Sequence, residues 1–158
     1  MIMFSVYLAG YIHGEVLDKC IEWRNKIKEF FYLNPKWFKE IFILDPLNGK
    51  DLNSITPDGL KSNIPPQAIV HGDYLSVKKA DLIVANLNTF DKNRASVGTF
   101  FELAWAYEQK KPVIIITDEE QYLEHPFIKT TASVFVKSVD ELLEKKYINY
   151  FYKRVHSA

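Results

Sequence analysis

The run Ser96-Val97-Gly98-Thr99-Phe100-Phe101-Glu102-Leu103-Ala104-Trp105-Ala106 gathers two hydroxyls, a glycine and one carboxylate in a single short stretch. It follows Leu82-Ile83-Val84-Ala85-Asn86-Leu87, a segment apolar enough to be a buried strand, and it passes into alanine and aromatic residues that suit a helix. Ligands of open α/β sheets bind where strands end and helices begin. Glu102 at the mouth of such a helix is therefore a candidate nucleophile or acid/base. The same residues carry a second reading. Thr99-x-x-Glu102 has the spacing of a capping box, in which the glutamate only accepts a backbone N–H.

Other chemistry-bearing residues fall where they could join Glu102. Asp73 lies in a segment of helical character leading into the same strand, and Tyr7 stands near the end of an earlier apolar run. The loops Gly10-Tyr11-Ile12-His13-Gly14 and Asp45-Pro46-Leu47-Asn48-Gly49 each follow an apolar run, so both are expected at the carboxyl edge of a sheet. Gly10, Ile12, His13, Asp45, Asn86, Ser96 and Gly98 are the expected lining of that crevice. The histidines at 13, 71, 125 and 156 are scattered without ligand spacing, so no metal site is expected. Neither a P-loop, nor a complete Gly-x-Gly-x-x-Gly, nor a supportable Ser/His/Asp arrangement is present. Two carboxylates without a metal suit glycosyl transfer, one attacking the anomeric carbon and the other handling the proton of the leaving group.

The elements that must position these groups alternate along the chain. Met3 to Leu8, Ile41 to Leu44, Leu82 to Leu87, Val113 to Ile116 and Ser133 to Val136 read as strands. Apolar residues from Val16 to Phe31 recur at helical spacing, and Asn34-Pro35 ends that helix. Further helices are expected from Pro65 or Pro66, over roughly Gly98 to Gln109, and after Ser138 to about Lys146. Residues 48–64 are expected to form a long loop, and Asp118 to Thr131 an irregular polar segment. The aromatic tail Tyr147, Tyr150, Phe151 and Tyr152 is expected on the core or on a partner. Strands alternating with helices predict one α/β domain over residues 1–158, with a parallel sheet of about five strands covered on both faces.

Composition narrows the partners. Twenty basic residues balance twenty acidic ones, and no basic block is present, which argues against gripping a nucleic-acid backbone. The opening apolar run is too short for a signal peptide and no stretch approaches a membrane span, so a cytoplasmic protein without membrane partners is expected. Cys20, the single cysteine, falls in an apolar helical pattern and is expected to be a buried structural thiol.

An ordered set of motifs then carries a resemblance. Tyr7-Leu8-Ala9-Gly10, Trp23-Arg24, Asp45-Pro46-Leu47, Asp73 with Ala80-Asp81-Leu82, and Ser96-x-Gly98-Thr99-x-x-Glu102-Leu103-x-x-Ala106 resemble the nucleoside 2-deoxyribosyltransferase family. The likeness runs from about residue 5 to about residue 117. It implies a flavodoxin-like, Rossmann-like fold, no cofactor, and cleavage of the N-glycosidic bond of 2′-deoxynucleosides. The freed deoxyribosyl group passes to another base or to water. By the same resemblance Glu102 matches the nucleophile, Asp73 the acid/base that protonates the departing base, and Tyr7 the tyrosine that orients the nucleophile.

Ser96 departs from the classical transferases, which tend to have Asp at that place against the sugar 5′-hydroxyl. It resembles instead the branch that hydrolyses 2′-deoxynucleoside 5′-monophosphates. The physics agrees, since a carboxylate would repel a 5′-phosphate while a hydroxyl and nearby N–H groups would bind it. The loop from Gly10 to Gly14 looks like the phosphate-side loop of those hydrolases, with His13 where they have Arg. The family also implies a homodimer or higher homo-oligomer in which a neighbour completes the pocket, with Thr130, Thr131 or Ser133 as loose matches for that contribution. Read on its own, Arg24 is expected to be a solvated or salt-bridged helix residue, and Trp105 is expected to pack. The alternative from another class is a non-catalytic nucleotide-binding or sensing domain.

Overall fold

The computed structural model describes residues 3–12, 17–48, 55–56, 59–60, 64–88 and 96–156. In chain order the elements are β1 (Phe4–Gly10), α1 (Leu17–Tyr32), β2 (Ile41–Leu44), β3 (Ile55–Thr56), β4 (Gly59–Leu60), α2 (Pro66–Lys79) and β5 (Leu82–Asn86). They continue with α3 (Val97–Glu108), β6 (Val113–Ile116), α4 (Glu120–Leu123), α5 (Pro126–Thr131), β7 (Val134–Val136), α6 (Val139–Glu144) and α7 (Tyr147–Val155).

Five strands form one sheet in the order β2-β1-β5-β6-β7, every pair parallel. The chain steps outward from β1 to β2 and then returns to the other side of β1 with β5. This is the flavodoxin-like winding, and its crevice lies where the direction of winding reverses, between the carboxyl ends of β1 and β5. Gly10 and Asn86 face each other in register at that point.

Alternation along the strands feeds two apolar layers. Phe4, Val6 and Leu8 of β1 join Ile27 and Phe31 of α1, with Leu142 and Ile148 from α6 and α7. Tyr7 and Ala9 point the other way, into a layer with Val77 of α2, Leu103 and Ala106 of α3, and Ile128 of α5. Burial on both faces is why these strands read as unbroken apolar runs. At about 1.5–3 kcal/mol for each large apolar side chain fully buried, these layers outweigh the weak local propensities of such short strands.

Three segments differ from the reading of the sequence. Within 48–64, Ile55 pairs with Leu60 and Thr56 with Gly59 in a two-stranded antiparallel ladder. The segment expected to be irregular holds α4 and α5. Pro126 opens α5, where its fixed φ and missing N–H suit a first turn. Both helices are too short for periodicity to register, and Ile128 is their only buried residue. The aromatic tail is the separate helix α7, begun after Lys146 at φ 55°. It lays Ile148, Tyr147, Phe151 and Tyr152 on the first layer. No described helix is long and apolar enough to cross a membrane.

Candidate active site

Glu102 reaches the interior because of helix periodicity. The buried stripe of α3 is Thr99, Glu102, Leu103 and Ala106, the i, i+3, i+4, i+7 face turned toward the sheet. A carboxylate therefore stands in an otherwise apolar stripe, only 7% exposed. Ser96 is the N-cap of α3, and the Phe100 N–H donates to its carbonyl at 3.0 Å. Thr99 thus lies inside the helix rather than capping it, which overturns the capping-box reading of Thr99 and Glu102. The Ser96 side chain makes no capping bond and is 2% exposed.

Asp73 arrives from α2 by the same rule. Ile69, Asp73 and Val77 form one stripe, with Asp73 half-buried and Val77 buried. The ring of Tyr74 meets Trp105 of α3 edge to face at 5.3 Å, which fixes α2 against α3 beside both carboxylates.

Tyr7 completes the group from β1. Its phenol is fully buried, and its pKa is raised well above the usual 10, first by burial and next by the negative charges of Glu102 and Asp73. The Tyr7 hydroxyl makes no hydrogen bond of standard geometry, and the weak one directed at Glu102 is the smallest influence on it. A phenol held neutral beside a carboxylate is a donor that aligns without competing as a base.

Helix α1 contributes a buried cation. Arg24 is fully buried. Its Nη1 donates to the Cys20 carbonyl at 2.6 Å, its Nη2 donates to the Gly10 carbonyl at 3.2 Å, and its Nε lies 3.7 Å from Asp45 Oδ1. Burial pulls its pKa below the usual arginine value, against the opposing pull of Asp45 first and then of Cys20, Tyr7 and Glu102. The signal was present in the sequence, since Cys20, Arg24, Ile27 and Phe31 share the buried stripe of α1.

The other expected lining residues have distinct placements. Asp45 is buried and both of its carboxylate oxygens are engaged within the protein. Oδ1 accepts the Leu47 N–H at 2.9 Å beside Arg24, and Oδ2 pairs with Lys28. Ile12 is half-buried against Cys20 and Leu47. The buried Cys20 thiol faces the carbonyls of Tyr11 and Ile12 at 3.5 and 3.8 Å. Asn86 is buried at the end of β5 and accepts the Asn88 N–H at 3.0 Å. Asn88 in turn donates to the Lys137 carbonyl at 3.0 Å and accepts the Asp118 N–H at 2.9 Å, tying the loops after β5, β6 and β7 together. Gly98 is exposed, with open space where a Cβ would stand. His13 lies outside the described residues.

The hydroxyls of Thr130 and Thr131 donate to carbonyls of their own helix at 2.8 Å, and Ser133 Oγ accepts the Val113 N–H at 3.1 Å. A groove of about 950 Å³ between α3, α4 and α5 is lined by Phe100, Tyr107, Tyr122 and Phe127, and it contains none of Tyr7, Asp73 or Glu102. Among the described residues no group of three His, Cys, Asp or Glu is placed to hold a metal ion.

The chain matches the family model described as nucleoside 2-deoxyribosyltransferase over residues 6–148. No curated protein sequence matches it. Among solved structures it is similar to a conserved protein from Enterococcus faecalis, with a TM-score of 0.62 and 20% identity, covering 94% of this chain and 99% of that one. It is similar also to a CMP N-glycosidase from Clostridium botulinum, with a TM-score of 0.56 and 20% identity, covering 91% and 98% of the two chains. A 2-desoxiribosyltransferase from Leishmania mexicana aligns with a TM-score of 0.50 and 20% identity, covering 77% of this chain and 69% of that one. At these identities the likeness is one of fold.

Proposed function

Since the chain belongs to the nucleoside 2-deoxyribosyltransferase family, we propose that it cleaves the N-glycosidic bond of 2′-deoxynucleosides or their 5′-monophosphates, with Glu102 as nucleophile. A Glu102 oxygen bonds to C1′ of the sugar as the bond from C1′ to the base nitrogen breaks. The protonated Asp73 carboxyl gives its proton to that nitrogen, so the base leaves neutral. The resulting sugar ester of Glu102 is then attacked at C1′ by water or by a second base. The incoming group gives its proton to Asp73, and Glu102 is released as carboxylate. Tyr7 orients the Glu102 carboxyl.

The observation that carries this reading is a buried phenol on β1 together with a buried carboxylate in the apolar stripe of α3 and a half-buried carboxylate on α2, the helix packed against it. A site that only bound nucleotides would have no use for that arrangement. Ser96, buried at the N-terminus of α3, favours a 5′-phosphate over a bare hydroxyl, because a neutral hydroxyl at a helix N-terminus does not repel an anion. Gly98, with open space around it, leaves room for the sugar.

The test is a panel of 2′-deoxynucleosides and 2′-deoxynucleoside 5′-monophosphates, each with and without a second free base, read by chromatography. Free base without exchange marks a hydrolase, and new nucleoside marks a transferase. Binding without any base release over a long incubation would overturn the reading and leave a nucleotide-binding domain.

A further inference from the structure

Thr99 is the second polar residue in the buried stripe of α3, and the chemistry above makes no use of it. It is 2% exposed. Its hydroxyl differs from the others on the described helices. Ser76 donates to the Gly72 carbonyl at 3.1 Å, and Thr130 and Thr131 donate to carbonyls of α5 at 2.8 Å. Those three hydroxyls are satisfied within their own helix. The Thr99 hydroxyl makes no such bond and has no hydrogen-bond partner among the described residues. Unlike the Tyr7 oxygen, the Thr99 oxygen is not wholly enclosed. A hydroxyl in so buried a residue, without a partner in the protein, costs stability that an incoming partner restores.

Helix geometry sets that hydroxyl beside the nucleophile. Helical residues three apart have Cβ atoms about 5–6 Å from each other. Helical side chains lean toward the N-terminus, so Glu102 leans over the turn that holds Gly98 and Thr99. Ser96, Thr99 and Glu102 follow one another at three-residue steps, about 4.5 Å of rise each. A sugar with C1′ at Glu102 and its 5′ end at Ser96 therefore passes over Thr99, beside the open space at Gly98. The one free hydroxyl of such a 2′-deoxyribosyl 5′-phosphate is on C3′, between those two ends. We propose that Thr99 is a specificity-determining residue whose hydroxyl hydrogen-bonds the 3′-hydroxyl of the bound sugar. A threonine hydroxyl both donates and accepts, so it pairs with a sugar hydroxyl in either direction. This deepens the reading above and rests on its placement of C1′ and of the 5′-phosphate.

The test crosses protein with substrate. Wild type and Thr99→Val are compared on a 2′-deoxynucleoside 5′-monophosphate and on its 2′,3′-dideoxy analogue. Valine keeps the shape of the side chain and removes the hydroxyl. The preference in kcat/KM for the 3′-hydroxyl is expected to be about five- to tenfold greater in wild type than in Thr99→Val. Comparing the two preferences cancels the difference in lability between the two sugars. Thr99→Ser keeps the hydroxyl and is expected to keep the wild-type preference. Equal preferences in wild type and Thr99→Val would overturn the proposal. The melting temperature of Thr99→Val is expected to hold or rise, since no bond within the protein is lost. A fall of more than about 4 °C would overturn the proposal by giving the hydroxyl a structural role. A second arm needs no turnover. Calorimetry on Glu102→Gln and on Glu102→Gln/Thr99→Val is expected to show the same dependence of nucleotide affinity on the 3′-hydroxyl. If it does while wild type releases no base, the proposed reaction fails and the Thr99 contact stands. If base is released without that dependence, the contact fails and the reaction stands.

Discussion

Gly10 stands against Trp23 so closely that a single added Cβ would come within 2.7 Å of the indole. The glycine at the end of β1 is thus a matter of space rather than of an unusual backbone angle. Gly10→Ala forces the indole or the neighbouring guanidinium aside, and a destabilisation of about 1–3 kcal/mol is expected in denaturant melts. Gly98→Ala is the control. Nothing lies within 4 Å of a Cβ there, and alanine in a helix is expected to stabilise by up to about 1 kcal/mol. Equal effects of the two changes would contradict this account of the β1 edge.

Tyr7→Phe separates stability from catalysis. Turnover is expected to fall by roughly one to two orders of magnitude, because the phenol aligns Glu102 once substrate is bound. Folding stability at neutral pH is expected to hold, because the hydroxyl makes no standard hydrogen bond to lose. The sign above neutrality follows from the raised phenol pKa. Between the unfolded value near 10 and the higher folded value, the unfolded chain has released a proton that the native one retains. Stability conferred by the neutral phenol is therefore present below pH 10 and is lost as pH rises toward the folded value, by up to about 1.4 kcal/mol per unit. Urea melts between pH 9 and 11 should show Tyr7→Phe losing less stability than wild type.

Asp73→Asn removes the proton donor for the leaving base and leaves the nucleophile in place. Rates are expected to fall by about two to four orders of magnitude on ordinary bases. The deficit should shrink on substrates whose base departs without protonation, and a deficit of the same size on both substrate types would assign Asp73 another role.

Ser96→Asp probes the phosphate preference. The change places a carboxylate where a 5′-phosphate is expected, and KM for 5′-monophosphates should rise at least about tenfold with little change for unphosphorylated nucleosides. A uniform rise for both would show that position 96 does not read the 5′ substituent.

Much of the scaffold was legible in the sequence for a physical reason. Leu82 to Asn86 and Val113 to Ile116 are buried on both faces, so they stand out as apolar runs. Thr99, Glu102, Leu103 and Ala106 mark a carboxylate inside an apolar helical stripe. What spacing does not carry is placement across the sheet. Tyr7, Asp73 and Glu102 are brought together only because β5 returns beside β1, and the family resemblance, rather than periodicity, pointed to that. Arg24 was read as a solvated or salt-bridged residue because long cationic side chains so often reach solvent from an apolar stripe. The ion pair with Asp45 bears out the salt-bridged half of that reading, while burial and the Gly10 and Cys20 carbonyls keep the guanidinium out of solvent. The two-residue strands β3 and β4 and the short helices α4 and α5 fall below the length at which a period can be seen.

The most direct test of the account is to mix the protein with a 2′-deoxynucleoside 5′-monophosphate that it cleaves, quench in acid within milliseconds to seconds, and map the peptides by mass spectrometry. The peptide containing Glu102 is expected to gain the mass of one deoxyribosyl phosphate, and Glu102→Gln is expected both to abolish the adduct and to lower base release by at least about three orders of magnitude. Base release at near wild-type rate by a folded Glu102→Gln protein, or an adduct on any other residue, would contradict it.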